Sequence, residues 1–441
     1  MARARPMFRA RVLARIVALA TALACTGLAV TGSAASAAPS AVPSAPGTGP
    51  VLELPRPTGP FTVGRTELSL RDAARADPWV VGERRELMVS LWYPAVPGRG
   101  ARPTPYMTER ESAALLELLG ADDVPEDTLA KVRTYSVADA RPLARRSPLV
   151  LLSPGFKLPR ATLSSLAEDL ASRGYVVAGV GHNHEAVATT FPDGRTTPCS
   201  ACTPPYDQAK LTRVGEGRAA DMRFVLDRLT GPRPVWGGGR AVDGRRVAMV
   251  GHSAGGYSTV PAMRGDRRID AGLTLDGLAE VSTPGVDRPV LMMGTPENAP
   301  GGAGEPYWGR TWSALSGWKR WLTVDGAQHE SFTDLPALVD QAAPGTAEEM
   351  AHGMVHGMVH GMALGKADGR AAGGAVAEDG LSGARGWRSP VPTSARSWTG
   401  SCGTAPVPSS TVPPFTFPRY GSGLRSRTKP QVSGLLHISG R

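Results

Sequence analysis

From Val51 onward, unbroken apolar runs alternate with stretches whose apolar residues recur every three or four positions. "RELMVSLWYPA" (85–95), "SPLVLLSPG" (147–155), "YVVAGVGHNH" (175–184), "RVAMVG" (246–251), "AGLTLDG" (271–277), "RPVLMMGT" (288–295) and "RWLTVDG" (320–326) are short and bounded by glycine, proline or polar residues, which predicts strands. "TLSSLAEDLASRG" (162–174), "RAADMRFVLDRL" (218–229), a segment from Ala254 and "YWGRTWSALSGWKRW" (307–321) carry helical spacing. Strand interiors that are apolar on both faces need cover on both sides. The alternation therefore predicts an α/β fold, a mostly parallel central sheet with helices on both faces. Binding sites in such sheets lie at the carboxyl ends of the strands.

The pattern also divides the chain. Residues 1–38 hold five arginines, the apolar run "IVALATALACTGLAV" and the small-residue stretch "SAASAAPS". That order predicts an export signal cleaved near Ala37, and hence a secreted protein. Residues 39–50, "PSAVPSAPGTGP", read as a linker, residues 51–341 as one catalytic domain, and residues 342–441 as a low-complexity, disordered tail. The Ser/Pro/Arg/Trp mixture of that tail resembles a GC-rich gene read out of frame.

The formal net charge of +10 is a property of the two ends. Residues 39–345 hold 34 basic and 34 acidic residues, so the body is neutral and the total is no argument for nucleic acid. Of the four cysteines, Cys25 falls in the export signal and Cys402 in the tail. Cys199 and Cys202, in "CSAC", suit a local disulfide in an exported chain. His352, His356 and His360 recur every four residues, but the outer two would stand about 12 Å apart on a helix, too far to share one metal. No metal and no cofactor are expected.

The chemistry concentrates at the strand ends. "VGHSAGG" satisfies G-x-S-x-G between a strand and a helix, with Gly251 and Gly255 flanking Ser253 where a side chain would collide in so sharp a turn. Ser253 is the candidate nucleophile. A serine hydroxyl needs a base, and His329 in "VDGAQHESFTD" lies late in the chain, after the acid in the order such turns follow. His252 should point away from the turn, and His182 and His184 are placed to line a pocket. For the acid, Asp276 ends one strand and Glu297 follows the next, and position alone does not choose between them. The oxyanion hole needs two donors: the backbone N–H of Ala254 and that of Phe156, in "LLSPGFKLPR", are the candidates. Trp308, Trp312 and Leu315 share a helical face that suits core packing better than an acyl pocket, and Tyr206 with the CSAC loop suits a partial lid.

In these residues the chain resembles the platelet-activating-factor acetylhydrolase family of α/β-hydrolases, especially secreted actinobacterial members. "LPRPTGPFTVGRTELSL", "RELMVSLWYPA", "LLSPGFKLPR", "DLASRGYVVAGVGHNHEA", "FPDGR", "VGHSAGG", "RRIDAGLTLDG" and "GAQHESFTD" carry the likeness in order from Leu54 to Leu335. The resemblance implies an α/β-hydrolase fold with Ser253 as nucleophile, His329 as base and Phe156 and Ala254 at the oxyanion hole. It favours Asp276 over Glu297, because this family takes its acid one strand early. It further implies an ester or lipid substrate of the 1-alkyl-2-acetylglycerophosphocholine kind, or a broader carboxylesterase, lipase or polyester-hydrolase range. At most transient contact with a membrane surface is expected. A non-catalytic binding protein on the same scaffold is the alternative of another class.

Overall fold

The computed structural model describes residues 51–98, 102–277, 285–342 and 438–440. The expectations for the export signal, the linker, the histidine repeat and Cys402 lie outside them. The described strands are β1 (Thr62–Ala76), β2 (Arg84–Ala95), β3 (Val137–Ala138), β4 (Ser147–Ser153), β5 (Val176–His182), β6 (Ala188–Thr190), β7 (Thr196–Pro198), β8 (Val242–His252), β9 (Ile269–Leu275), β10 (Val290–Gly294), β11 (Lys319–Val324) and β12 (Ile438–Gly440). The described helices longer than a single 3-10 turn are α1 (Glu109–Leu119), α2 (Ser164–Ser172), α3 (Gln208–Thr230), α4 (Ala254–Tyr257), α5 (Thr259–Gly265), α6 (Glu305–Ala314) and α7 (Leu335–Ala342).

Ten of the strands form one sheet in the order β12-β11-β10-β9-β8-β4-β5-β2-β1-β3. From β5 to β11 every neighbour is parallel, while β2 pairs antiparallel with β5, β1 with β2, and β12 with β11. The mostly parallel sheet is what the pattern predicts, and the α/β-hydrolase architecture is what the resemblance implies. In β4, Leu149 and Leu151 face one apolar cluster and Val150 and Leu152 the other, as the two-residue period of a strand requires. The first cluster takes Met222, Val225, Leu226 and Leu229 from α3, Met263 from α5 and Trp308 from α6; the second takes Ala167 and Ala171 from α2. Both faces of the sheet are thereby covered.

One feature of this order positions the site. β4 and β8 are adjacent, yet β4 runs on to β5 on one side and β8 to β9 on the other. Their carboxyl ends therefore open a crevice between diverging connections. The loop after β4 carries Phe156, and the turn after β8 carries Ser253.

The helix expected over residues 307–321 is corrected. It ends at Ala314, and strand begins again at Lys319. Leu315 is extended (φ −77°, ψ 122°), and a Cβ at Gly317 would stand 2.0 Å from the Asp287 carbonyl oxygen. Lys319 Nζ closes the helix by donating to the carbonyls of Trp312 (2.6 Å) and Leu315 (2.8 Å). Trp308 and Leu315 are core residues, with Trp312 packed against them, as the sequence suggests. Among the elements not expected are β1, and α1 with its Thr108–Glu111 capping box and left-handed Gly120 (φ 67°). Within the tail, Ile438–Gly440 depart from the expected disorder by pairing with β11.

Candidate active site

β8 ends in a turn that only glycines can build. A Cβ at Gly251 would lie 2.1 Å from the Gly255 carbonyl carbon, and a Cβ at Gly255 would lie 2.1 Å from the Ser153 carbonyl oxygen. Between them Ser253 adopts φ 53°, ψ −118°, a conformation L residues rarely take. Its N–H donates to the Leu275 carbonyl at 3.0 Å, which ties the turn to the end of β9. Strain of this kind costs on the order of 1–3 kcal/mol and persists only where the surroundings hold it. The Ser253 hydroxyl makes no capping bond to α4, so it is left for another partner.

Asp276 follows β9 directly, also with positive φ (48°). Its Oδ1 accepts from the Thr295 N–H (2.8 Å), Thr295 Oγ1 (3.1 Å) and Asn298 Nδ2 (2.7 Å). That leaves Oδ2 to accept from His329 Nδ1 at 2.6 Å. Burial by itself would raise the carboxyl pKa, but the bonds and charge of His329, Thr295 and Asn298 hold it down at about 2. Burial likewise works against the imidazolium of His329, and the Asp276 carboxylate outweighs it, so the His329 pKa is raised. With Nδ1–H donating to a carboxylate, Nε2 carries the free lone pair. Glu297, which position alone left level with Asp276, sits exposed on the 3-10 turn Pro296–Asn298.

The two candidate oxyanion donors share one apolar cluster. Phe156 is buried with Ala201 and Val214, and Trp79, Cys199, Cys202, Tyr206 and Ala254 pack around them. The Phe156 and Tyr206 rings meet edge to face, with centroids 6.2 Å apart. Cys199 and Cys202 are joined as a disulfide. The Tyr206 hydroxyl donates to the Cys202 carbonyl, so the loop is bound to the aromatic wall beside the donors. The expected lid residues therefore pack against Phe156, in the loop that carries one candidate oxyanion donor.

Three histidines differ from their sequence reading or extend it. His252, expected to point away from the turn, is tied to the loop of the candidate base: its Nε2 donates to the His329 carbonyl at 2.9 Å, and the two rings lie 4.7 Å apart. His182 and His184 do not line an open pocket. His182 is buried between Asp221 and Ser153, while His184 is buried against Ser200 and Glu83. Glu330 is a residue the sequence did not single out; both its carboxylate oxygens are buried with no hydrogen-bond partner among the described residues, and burial raises its pKa. Thr295 and Asn298 went equally unsuspected, although "MMGTPEN" places them beside the weighed Glu297.

A family model described as platelet-activating factor acetylhydrolase, isoform II, matches residues 47–203, which include Phe156, Cys199 and Cys202 and stop short of Ser253. A "Probable 1-alkyl-2-acetylglycerophosphocholine esterase" of Arthroderma benhamiae is 27% identical over 310 residues, covering 65% of this chain and 77% of that protein. A platelet-activating factor acetylhydrolase of Cavia porcellus is 24% identical, over 51% of this chain and 55% of that one. Among solved structures, the ferulic acid esterase of Streptomyces cinnamoneus is similar with 40% identity and a TM-score of 0.59, covering 71% of this chain and 92% of that chain.

Proposed function

We propose, from the premise that this chain belongs to the platelet-activating factor acetylhydrolase family of α/β-hydrolases, that it is a secreted serine esterase working through an acyl-enzyme. The observation that carries the reading is the 2.6 Å bond between His329 Nδ1 and Asp276 Oδ2, on the same sheet edge that presents Ser253. In the first half-reaction Ser253 Oγ attacks the ester carbonyl carbon while His329 Nε2 takes its proton. The carbonyl oxygen becomes an oxyanion held by the N–H groups of Phe156 and Ala254. Collapse breaks the C–O bond, and the alcohol leaves with the proton from His329. In the second half-reaction water, deprotonated by His329, attacks the acyl carbon; the carboxylic acid leaves and Ser253 regains its proton. Asp276 holds the tautomer and stabilises the imidazolium throughout.

The relatives' names support a substrate among phospholipid-type or short-chain acyl esters. A second reading, an aromatic acyl ester, is favoured by the wall of Trp79, Phe156 and Tyr206 beside the oxyanion donors and by the solved ferulic acid esterase. Hydrolysis of p-nitrophenyl acetate, butyrate, octanoate and palmitate and of methyl ferulate, with Ser253→Ala in parallel, tests both. Turnover that vanishes in the variant supports the nucleophile, and the preferred ester chooses between the two readings. Turnover that persists in Ser253→Ala rejects the mechanism. For the export reading, the N-terminal sequence of protein recovered from culture medium is expected to begin after the "SAASAA" stretch.

A further inference from the structure

Behind the oxyanion loop lies a second chain of serine, histidine and aspartate. Ser153 Oγ stands 2.9 Å from His182 Nε2, and His182 Nδ1 stands 2.8 Å from Asp221 Oδ2. Arg85 grips Asp221 with Nη2 (2.7 Å to Oδ2) and Nε (3.1 Å to Oδ1), and its Nη1 donates to the Asn183 carbonyl (2.7 Å). Ser153 and Asp221 are 0% exposed and His182 2%, so no ester carbonyl reaches this serine. The chain is a brace rather than a second reaction centre.

What it braces is visible from Arg218 and Glu185. Arg218 Nη1 donates to the Pro154 carbonyl at 2.5 Å and approaches Ser153 Oγ at 3.5 Å, and its Nε donates to Glu185 Oε2 at 2.7 Å. The backbone carbonyl of the same Glu185 accepts from the Lys157 N–H at 2.8 Å. Glu185 Oε1 accepts from Trp79 Nε1 at 3.0 Å, which fixes its carboxylate. A closed frame therefore holds both sides of one peptide: the carbonyl two residues before Phe156 and the amide one residue after it. Between them the Phe156 N–H has no hydrogen-bond partner among the described residues. Burial and the nearby Arg218 cation keep His182 neutral, so Nδ1–H faces the Asp221 carboxylate and Nε2 accepts the Ser153 proton. The serine oxygen is then turned lone pair first toward Arg218.

We propose that Arg218, anchored by Glu185 and backed by the Ser153–His182–Asp221–Arg85 chain, is a positioning residue for ester hydrolysis that keeps the Phe156 N–H aimed at the developing oxyanion. The inference rests on the esterase reading above. An oxyanion donor works only at hydrogen-bonding distance from where the charge develops, so a peptide plane free to tilt forfeits part of its stabilisation.

Arg218→Lys keeps a cation for Glu185 and removes the fork that reaches Pro154. Per active site titrated by the p-nitrophenyl acetate burst, kcat is expected to fall about 10- to 100-fold, less than a whole donor contributes, with KM within about twofold. Affinity for a trifluoromethyl ketone, which forms a tetrahedral serine adduct, should fall by the same factor. Merely structural damage would lower the number of titratable sites and leave kcat per site unchanged. Where Arg218→Lys does not fold, Ser153→Ala removes only the hydroxyl between His182 and Arg218, and a smaller fall of the same kind is expected. Unchanged kcat per site and unchanged adduct affinity in whichever variant folds overturn the inference. A fully active Ser253→Ala overturns the esterase mechanism and the inference with it.

Discussion

His252 Nε2 donates to the backbone carbonyl of His329 at 2.9 Å, so the residue preceding the candidate nucleophile holds the loop of the candidate base. Burial, and then the nearby charge of His329, push the His252 pKa down to about 3. The ring is therefore neutral at every pH at which an esterase is assayed. Its role is geometric: Ser253 and His329 belong to loops 76 positions apart in sequence, and this bond is a direct tie between them.

Replacing His252 by Phe keeps a ring in the space but removes the donor. The expected result is a fall in kcat of about 10- to 100-fold, the scale of a misplaced catalytic group, with the acid limb of the pH–rate profile where it was. His252→Gln, which keeps a donor, should recover part of the loss. An acid limb that disappears in His252→Phe would mean that His252 itself titrates in the reaction, against the geometry.

In the proposed mechanism the Asp276–His329 pair sets that limb. His329 must be neutral to accept a proton, and Asp276 raises its pKa above the ordinary imidazole value. Activity therefore falls as pH drops through this raised pKa. Asp276→Asn removes the charge that favours the imidazolium, so the limb should move to lower pH while kcat falls about 10⁴-fold. A pH–rate profile for both proteins checks the sign; a limb that moves upward, or stays, would contradict the pairing.

The parts of this arrangement that sequence makes legible are those fixed by local pattern. β4, β5, β10 and the Val247–Val250 stretch of β8 are mainly apolar runs, and Gly251, Ser253 and Gly255 follow the sharp turn that needs them. β1 escaped notice because its burial alternates irregularly along 15 mostly polar residues beside a single well-buried neighbour. The break after α6 depends on Asp287 and Lys319, which come from outside the helix. For the acid, position left Asp276 and Glu297 level, since nothing local tells that Thr295 and Asn298 turn toward one and away from the other. The tie from His252 to His329 and the frame of Arg218 and Glu185 join residues far apart in the chain, so no short window contains them.

The turn itself is open to a direct steric test. A methyl group at position 255 would meet the Ser153 carbonyl oxygen at 2.1 Å, so Gly255→Ala must push apart the nucleophile turn and the strand that leads into the oxyanion loop. The expected destabilisation is at least about 1–3 kcal/mol, as for other overpacked sites. Esterase activity should fall with it even where the variant remains folded. Thermal denaturation beside kcat separates the two effects, and an unchanged melting temperature with unchanged kcat would mean that the turn has more room than the contacts indicate.

The disulfide gives the last test, because its two expected effects differ in size. Joining Cys199 to Cys202 closes a very short loop, which limits its contribution to about 2 kcal/mol in the loop-entropy account. Cys199→Ser with Cys202→Ser should therefore lower the melting temperature only modestly. Its effect on substrates should be selective, since the bridge packs with Tyr206 and Phe156, while Asp276 and His329 are held to each other by their own bond. For p-nitrophenyl acetate, which is too small to need the aromatic wall, kcat should change by less than about twofold. For methyl ferulate, whose ring would lie against Tyr206, KM should rise. Equal losses on both esters would place the effect in the oxyanion loop, whereas no loss on either would mean that the wall holds its shape without the bridge.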